Sequence, residues 1–175
     1  MAHIQRKYEV NSMSNTGELA PKATGYSKTE QTHVLRYQHL NGARRLFGGQ
    51  LMQWIDELAG IVAGRHSGSG VVTAAVDNLI FKAPAYLNDL VVLSGRITYT
   101  GKTSMEVQVD TYTMKRDGQN RKLINTAYLV MVSTDEDGAP LPVPGLLLQT
   151  DQEKQDWADG EKRYNLRKQR RKEQF

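Results

Sequence analysis

The chain of 175 residues contains no cysteine. That excludes disulfide bridges, thiolate zinc sites and a cysteine nucleophile, and it fits a protein of the cytoplasm. No apolar run reaches the length of about eighteen residues that a membrane-spanning helix needs. The opening segment, Met1-Ala2-His3-Ile4-Gln5-Arg6-Lys7, lacks the apolar centre of a secretory signal. There is no Gly-x-Ser-x-Gly elbow and no phosphate-binding P-loop. The four histidines, His3, His33, His39 and His66, show no helical ligand spacing, so no metal is expected. Proline is scarce, and three of the five sit together at Pro140, Pro142 and Pro144, where they end a sheet region. The net charge of +4 is unevenly placed, because residues 167–175 carry five cations and one anion. The basic balance is therefore partly a property of the tail, and neither a nucleic acid nor a membrane is expected as a partner.

What is present suffices for one domain with a full core: 39% of residues are hydrophobic and 24% charged. Residues 1–28 are polar and read as a flexible arm. Gln31 to Leu40 reads as a first strand, and Asn41 to Arg45 as a loop. The pattern then predicts a helix from about Gly49 to Gly64. Stepping about 100° per residue puts Leu51, Trp54, Ile55, Leu58 and Val62 on a core stripe, with Gln50, Gln53 and Glu57 opposite. Asp56 falls on a third face with Met52, Ala59, Gly60 and Ala63, mostly small residues that let another chain or a ligand approach. Four strands follow: Val71 to Ile80, Leu90 to Tyr99, Ser104 to Lys115 and Leu123 to Val132. In the third, Met105, Val107 and Val109 alternate with Glu106, Gln108 and Asp110, which predicts one wet face. Asn88-Asp89, Gly101-Lys102 and Asp117-Gly118 supply the turns. Residues 147–175 read as a charged surface helix, whole or broken, with helix formers around Gly160 and a basic end that frays. Short turns make the strands antiparallel neighbours. The fold class is therefore α+β, an antiparallel sheet curled around one long helix, with exposed edges suited to dimerisation.

Several of these segments resemble one family. Asn41-x5-Phe47-Gly48-Gly49-x6-Asp56 resembles the signature of hot-dog-fold acyl-CoA thioesterases, in particular the acyl-CoA hydrolases of bacterial cytosol and mammalian brain. Val72-Thr73-Ala74-Ala75-Val76-Asp77 with Phe81 and Pro84, Gly101-Lys102-Thr103-Ser104-Met105-Glu106-Val107, and Leu141-Pro142-Val143-Pro144 resemble further segments of it. The likeness covers roughly residues 30–146, and a domain over 29–146 is expected. Two positions depart from the family: Arg44 and Asn88 stand where it usually has glycine. Asn88 tolerates a positive φ well enough to keep the turn.

The resemblance implies hydrolysis of an acyl-CoA to a carboxylic acid and CoA, with no cofactor apart from the CoA of the substrate. It also implies a homodimer whose active sites lie at the interface, and assembly as a trimer of dimers. Asp56 would act as base or as nucleophile, ionised in either role; without the motif it would read as a salt-bridged helix carboxylate. The free N–H of Gly49 or Gln50 would polarise the thioester oxygen, although a glycine pair also suits a tight turn. Asn41, by itself a turn residue, would work opposite the Asp of the neighbouring subunit. Thr103 and Ser104 offer hydroxyls to steady Asp56 or the water, or else cap a turn. Lys102, Arg65 and Arg44 are candidates for the CoA phosphates, and Phe47 and Phe81 for contact with the substrate. Two other classes stay open: a non-catalytic acyl-CoA sensor, and a hot-dog hydratase or dehydratase. Residues 1–28 are too short and polar for the DNA-binding module of a sensor. No histidine is expected on the central helix, with His66 just beyond its end, which counts against the hydratase.

Overall fold

The computed structural model describes residues 19–174. The chain runs β1 (Lys22–Ala23), β2 (Thr29–Val34), α1 (Gly48–Ser67), β3 (Gly70–Phe81), β4 (Leu90–Thr100), β5 (Ser104–Met114), β6 (Lys122–Thr134), β7 (Leu146–Leu147) and α2 (Asp151–Lys172). Five strands form one antiparallel sheet in the order β2-β4-β5-β6-β3. The helix and the four strands after it lie within a few residues of their predicted places. The first strand is shorter than predicted, because the chain turns into a 3-10 segment at Tyr37–His39.

α1 lies on one face of the sheet. Its predicted stripe, Leu51, Trp54, Ile55, Leu58 and Val62, is buried, and Ala59, Ala63 and His66 join it. Each large apolar side chain so buried contributes about 1.5–3 kcal/mol. The helix sits close over β4 because Gly95 has no side chain: a Cβ there would lie 3.0 Å from Val62 Cγ2. His66 is in the last turn of α1 rather than beyond it, and is fully buried with Nε2 3.0 Å from the carbonyl of Pro144. Burial holds its imidazole below the ordinary value of 6.5, so this histidine is a neutral core donor.

The opposite face of the sheet corrects the expected wet surface. Glu106, Gln108 and Asp110 point away from α1, as the alternation predicts, but all three are buried beneath α2. α2 is unbroken. It opens on a capping box between Thr150 and Glu153 and continues through Gly160 to Lys172. Gly160 is the point of closest approach: a Cβ there would lie 2.6 Å from Tyr99 Cβ and 3.0 Å from Glu106 Oε1. Trp157 and Tyr164 flank this point, both against Tyr99. Arg96 bridges Asp110 and Asp156, while Arg163 and Arg167 converge on Glu106.

Of the predicted arm, residues 1–28, the first eighteen lie outside the described residues. The rest of it is docked rather than free. Lys22–Ala23 pairs in parallel with Leu146–Leu147, the Thr24 hydroxyl donates to Glu153, and Ser27 is fully buried.

Gly160→Ala tests the docking of α2. Alanine favours an isolated helix by about 1 kcal/mol, whereas forcing a methyl into a packed contact costs about 1–3 kcal/mol. We expect a lower urea midpoint for Gly160→Ala and an unchanged or higher one for Asn165→Ala, which is on an exposed turn of the same helix.

Candidate active site

Phe47 opens α1 with extended backbone and no side-chain cap. The N–H groups of Gly48, Gly49 and Gln50 therefore have no partner within the helix and form its positive pole. The rings of Phe47 and Phe81 stand half exposed over these glycines. A groove of 340 Å³ runs along this end of α1, lined by Gly49, Met52, Gln53, Ile55, Asp56, Val76, Leu79 and Leu129. Asp56 and Gly49 thus share one space, as the family resemblance implies, and Met52 and Asp56 are exposed in it.

Sequence reasoning missed the partner of Asp56. Thr73, on β3, donates its hydroxyl to Asp56 Oδ1 at 2.6 Å. Thr103 and Ser104, expected to do this, are elsewhere. Ser104 is on the α2 side of the sheet, near Tyr164, and both hydroxyl residues line a separate pocket with Arg167, Lys168 and Arg171. The signal for Thr73 was a lone hydroxyl among Val and Ala in β3. Two bulges follow it in β3, where Ala74 and Asp77 are inserted. Asp56 lines the groove, and with Oδ1 held its Oδ2 has no hydrogen-bond partner among the described residues. Among the described residues no histidine joins the site. His33 stacks on Trp54 with ring centroids 4.1 Å apart and His39 meets the same indole edge-on at 5.1 Å. His3 lies outside the described residues.

Asn41 opens into a different cavity, of 320 Å³, with Arg45, Leu46, Phe81 and Pro84. Asn41 and Asp56 are not brought together within one chain. The Asn41 side chain is nonetheless held: Oδ1 accepts the N–H of Ala43 at 2.9 Å and of Arg45 at 3.2 Å. Its amide nitrogen is left to donate outward. Arg44 takes φ +56° and Asn88 φ +70°, so each adopts the left-handed backbone that suits the glycine it replaces. The exposed Arg44 and Lys102 are far apart. Lys102 belongs to the β4–β5 turn, near the C-terminal end of α1, where its carbonyl accepts from Val143 N. Arg65 donates to Thr29 Oγ1 at 3.0 Å. Among the described residues no group of His, Asp or Glu is arranged to hold a metal.

Comparison with known proteins bears on this geometry. The family described as "Thioesterase superfamily" matches residues 44–117. A crystal structure of a hexameric acyl-CoA thioesterase is 36% identical, with a TM-score of 0.83, covering 87% of this chain and 97% of that one. The acyl-CoA hydrolase of Staphylococcus aureus, solved with butyryl coenzyme A and coenzyme A, is 34% identical with a TM-score of 0.82. That match covers 88% of this chain and 94% of the other. The same hydrolase has been solved with alanine in place of one Asn, one Asp and one Thr. The cytosolic acyl coenzyme A thioester hydrolase of Rattus norvegicus is 34% identical over 82% of this chain. The chain spans 38% of the length of that relative.

Proposed function

The chain belongs to the thioesterase superfamily and has the hot-dog fold, and from that premise we propose that it hydrolyses acyl-CoA to a carboxylic acid and CoA. The observation that carries the proposal is the Asp56 carboxylate, fixed by Thr73 in a groove that also holds the N-terminus of α1. The Asn, Asp and Thr replaced in the Staphylococcus aureus hydrolase have the sequence spacing of Asn41, Asp56 and Thr73.

The thioester oxygen is placed at the N–H of Gly49 or Gln50, where charge gathered in the tetrahedral intermediate meets the helix pole. Asp56 Oδ2 takes a proton from water as the water oxygen attacks the carbonyl carbon. The C–S bond then breaks, and the thiolate of CoA takes up the proton. Direct attack by the same oxygen is the alternative; it expels the CoA thiolate and leaves an Asp56–acyl anhydride, whose hydrolysis at the aspartyl carbon would place solvent ¹⁸O in Asp56 during single turnover. CoA is part of substrate and product, and no cofactor enters this scheme.

The active unit in this reading is a homodimer joined along β3, and further a trimer of dimers. β3 is an unpaired edge bearing exposed Val72, Val76, Ile80 and Phe81, which a second copy would cover. Asn41 and Asp56 open into separate cavities, so pairing across such an interface gives Asn41 of one copy access to the site of the other. Its outward amide donor would then steady the thioester oxygen or the attacking water. Phe47 and Phe81 would border the acyl and pantetheine path, and Arg44 would meet the CoA phosphates. Residence in the cytoplasm is part of the same proposal, after the rat relative. Free-thiol release by the purified chain across acyl-CoAs of increasing length tests it. Turnover of at least one acyl-CoA is expected. Tight binding of acyl-CoA with no thiol release would replace hydrolysis by sensing.

A further inference from the structure

The pocket that holds Thr103 and Ser104 is on the face of the sheet opposite Asp56. It encloses 270 Å³ between β3, β5, β6 and the C-terminal half of α2. Its floor is small: Ala74 is the extra residue of a bulge in β3, and Ala75 follows it. One wall is basic, because Tyr164, Arg167, Lys168 and Arg171 recur at helical spacing on one side of α2. We propose that this is a second binding site, for a phosphate or diphosphate group, back to back with the Asp56 groove.

The charge around the pocket is not cancelled internally. Arg163, Arg167 and Arg170 share two carboxylates, Glu106 and Asp77. Lys168 and Arg171 meet no carboxylate among the described residues. Arg167 is held in place by Asp77 at 2.8 Å and Glu106 at 3.1 Å, both through Nη1, so Nε and Nη2 are left to donate. A guanidinium fixed in this way, with two hydroxyls and two further cations around the same pocket, suits a group that presents several anionic oxygens. The Thr103 and Ser104 hydroxyls have no hydrogen-bond partner among the described residues. The negative pole of α2 opposes an anion, but that effect is confined to its last turn, and Arg167 and Lys168 precede it. The volume admits a phosphate or diphosphate and leaves the rest of the ligand outside.

The phosphate has two sources, the CoA of a substrate or a separate phosphorylated molecule. Calorimetric titration of the full chain with inorganic pyrophosphate, at low and high salt, tests the site. We expect salt-sensitive binding that weakens roughly tenfold or more in Lys168→Gln/Arg171→Gln, since both side chains are exposed and take no part in the core. Asp56→Asn should bind pyrophosphate as the wild type does, so this result stands apart from the thioesterase proposal. If the double variant also raises KM for acyl-CoA with kcat unchanged, the phosphates belong to the substrate. If KM is unchanged while pyrophosphate binding is lost, they belong to another ligand. Either result supports the site. Absence of pyrophosphate binding to the wild type, or binding indifferent to the double variant, overturns it.

Discussion

Asp56→Asn is expected to lower kcat for acyl-CoA hydrolysis by roughly 10²–10⁴, the range for loss of a positioned general base, while leaving the fold and assembly unchanged. Asparagine is nearly the same shape and still accepts the Thr73 hydroxyl through its carbonyl oxygen, so the hydrogen bond at 2.6 Å has a counterpart in the variant. What is lost is the carboxylate oxygen that the Thr73 bond leaves free. Because Asp56 is exposed within one chain, removing its charge leaves no unpaired ion in the core. Far-UV circular dichroism and the sedimentation coefficient should match the wild type. Full activity in this variant would make Asp56 structural and remove the mechanism. Equal losses in kcat and kcat/KM would locate the effect in the transition state rather than in substrate binding.

Glu106→Ala is expected to have the largest effect on stability, about 3–5 kcal/mol, the cost of breaking a buried ion pair from one side. Glu106 is fully buried and accepts from Arg163 Nη2 at 2.8 Å, from Arg167 Nη1 at 3.1 Å and from Thr98 Oγ1 at 2.9 Å. Alanine leaves two guanidiniums facing a cavity. Arg167 keeps Asp77, and Arg163 keeps the ring of Tyr128, with its guanidinium carbon 3.9 Å from the centroid. Both arginines also reach some solvent, so the lower end of the range is expected. Urea denaturation would measure it, and a cycle with Arg163→Met would isolate the pairwise part. A loss below about 1 kcal/mol would show that α2 is held by Tyr99, Trp157 and Tyr164 instead.

Most of the fold could be read from the chain, because its central helix and strands carry strong periodicity. The stripe from Leu51 to Val62 and the alternation of β5 each determine a face unambiguously. What period cannot show is whether a polar face meets water or a second layer. Glu106, Gln108 and Asp110 looked solvated because their partners, Arg163, Arg167 and Arg96, are distant in sequence, and because α2 is itself mostly polar. Gly160 left a break in α2 open for a related reason: the residue that lowers helix propensity is also the one that permits close contact, and only the neighbour at 2.6 Å distinguishes the two. At the candidate site, the Asp56 face and the glycine pair were legible from spacing. Thr73 was not, since only the packing of β3 against α1 brings its hydroxyl to a carboxylate 17 residues earlier. The end of α1 was placed about one turn too early, leaving His66 outside it, because the helix runs on to Ser67, past the glycine where the pattern suggested an end.

The manner in which α2 is held has a kinetic consequence. Its anchors, Arg96, Tyr99, Glu106 and Asp77, come from three different strands, so the helix has nothing complete to dock on until β3, β4 and β5 are in register. Its own sequence is too polar to collapse earlier. Docking of α2 is therefore a late step, one that adds little to the folding nucleus and mainly slows unfolding. In the native state α2 is the unit best placed to open by itself, its amides exchanging with solvent while those of α1 stay protected.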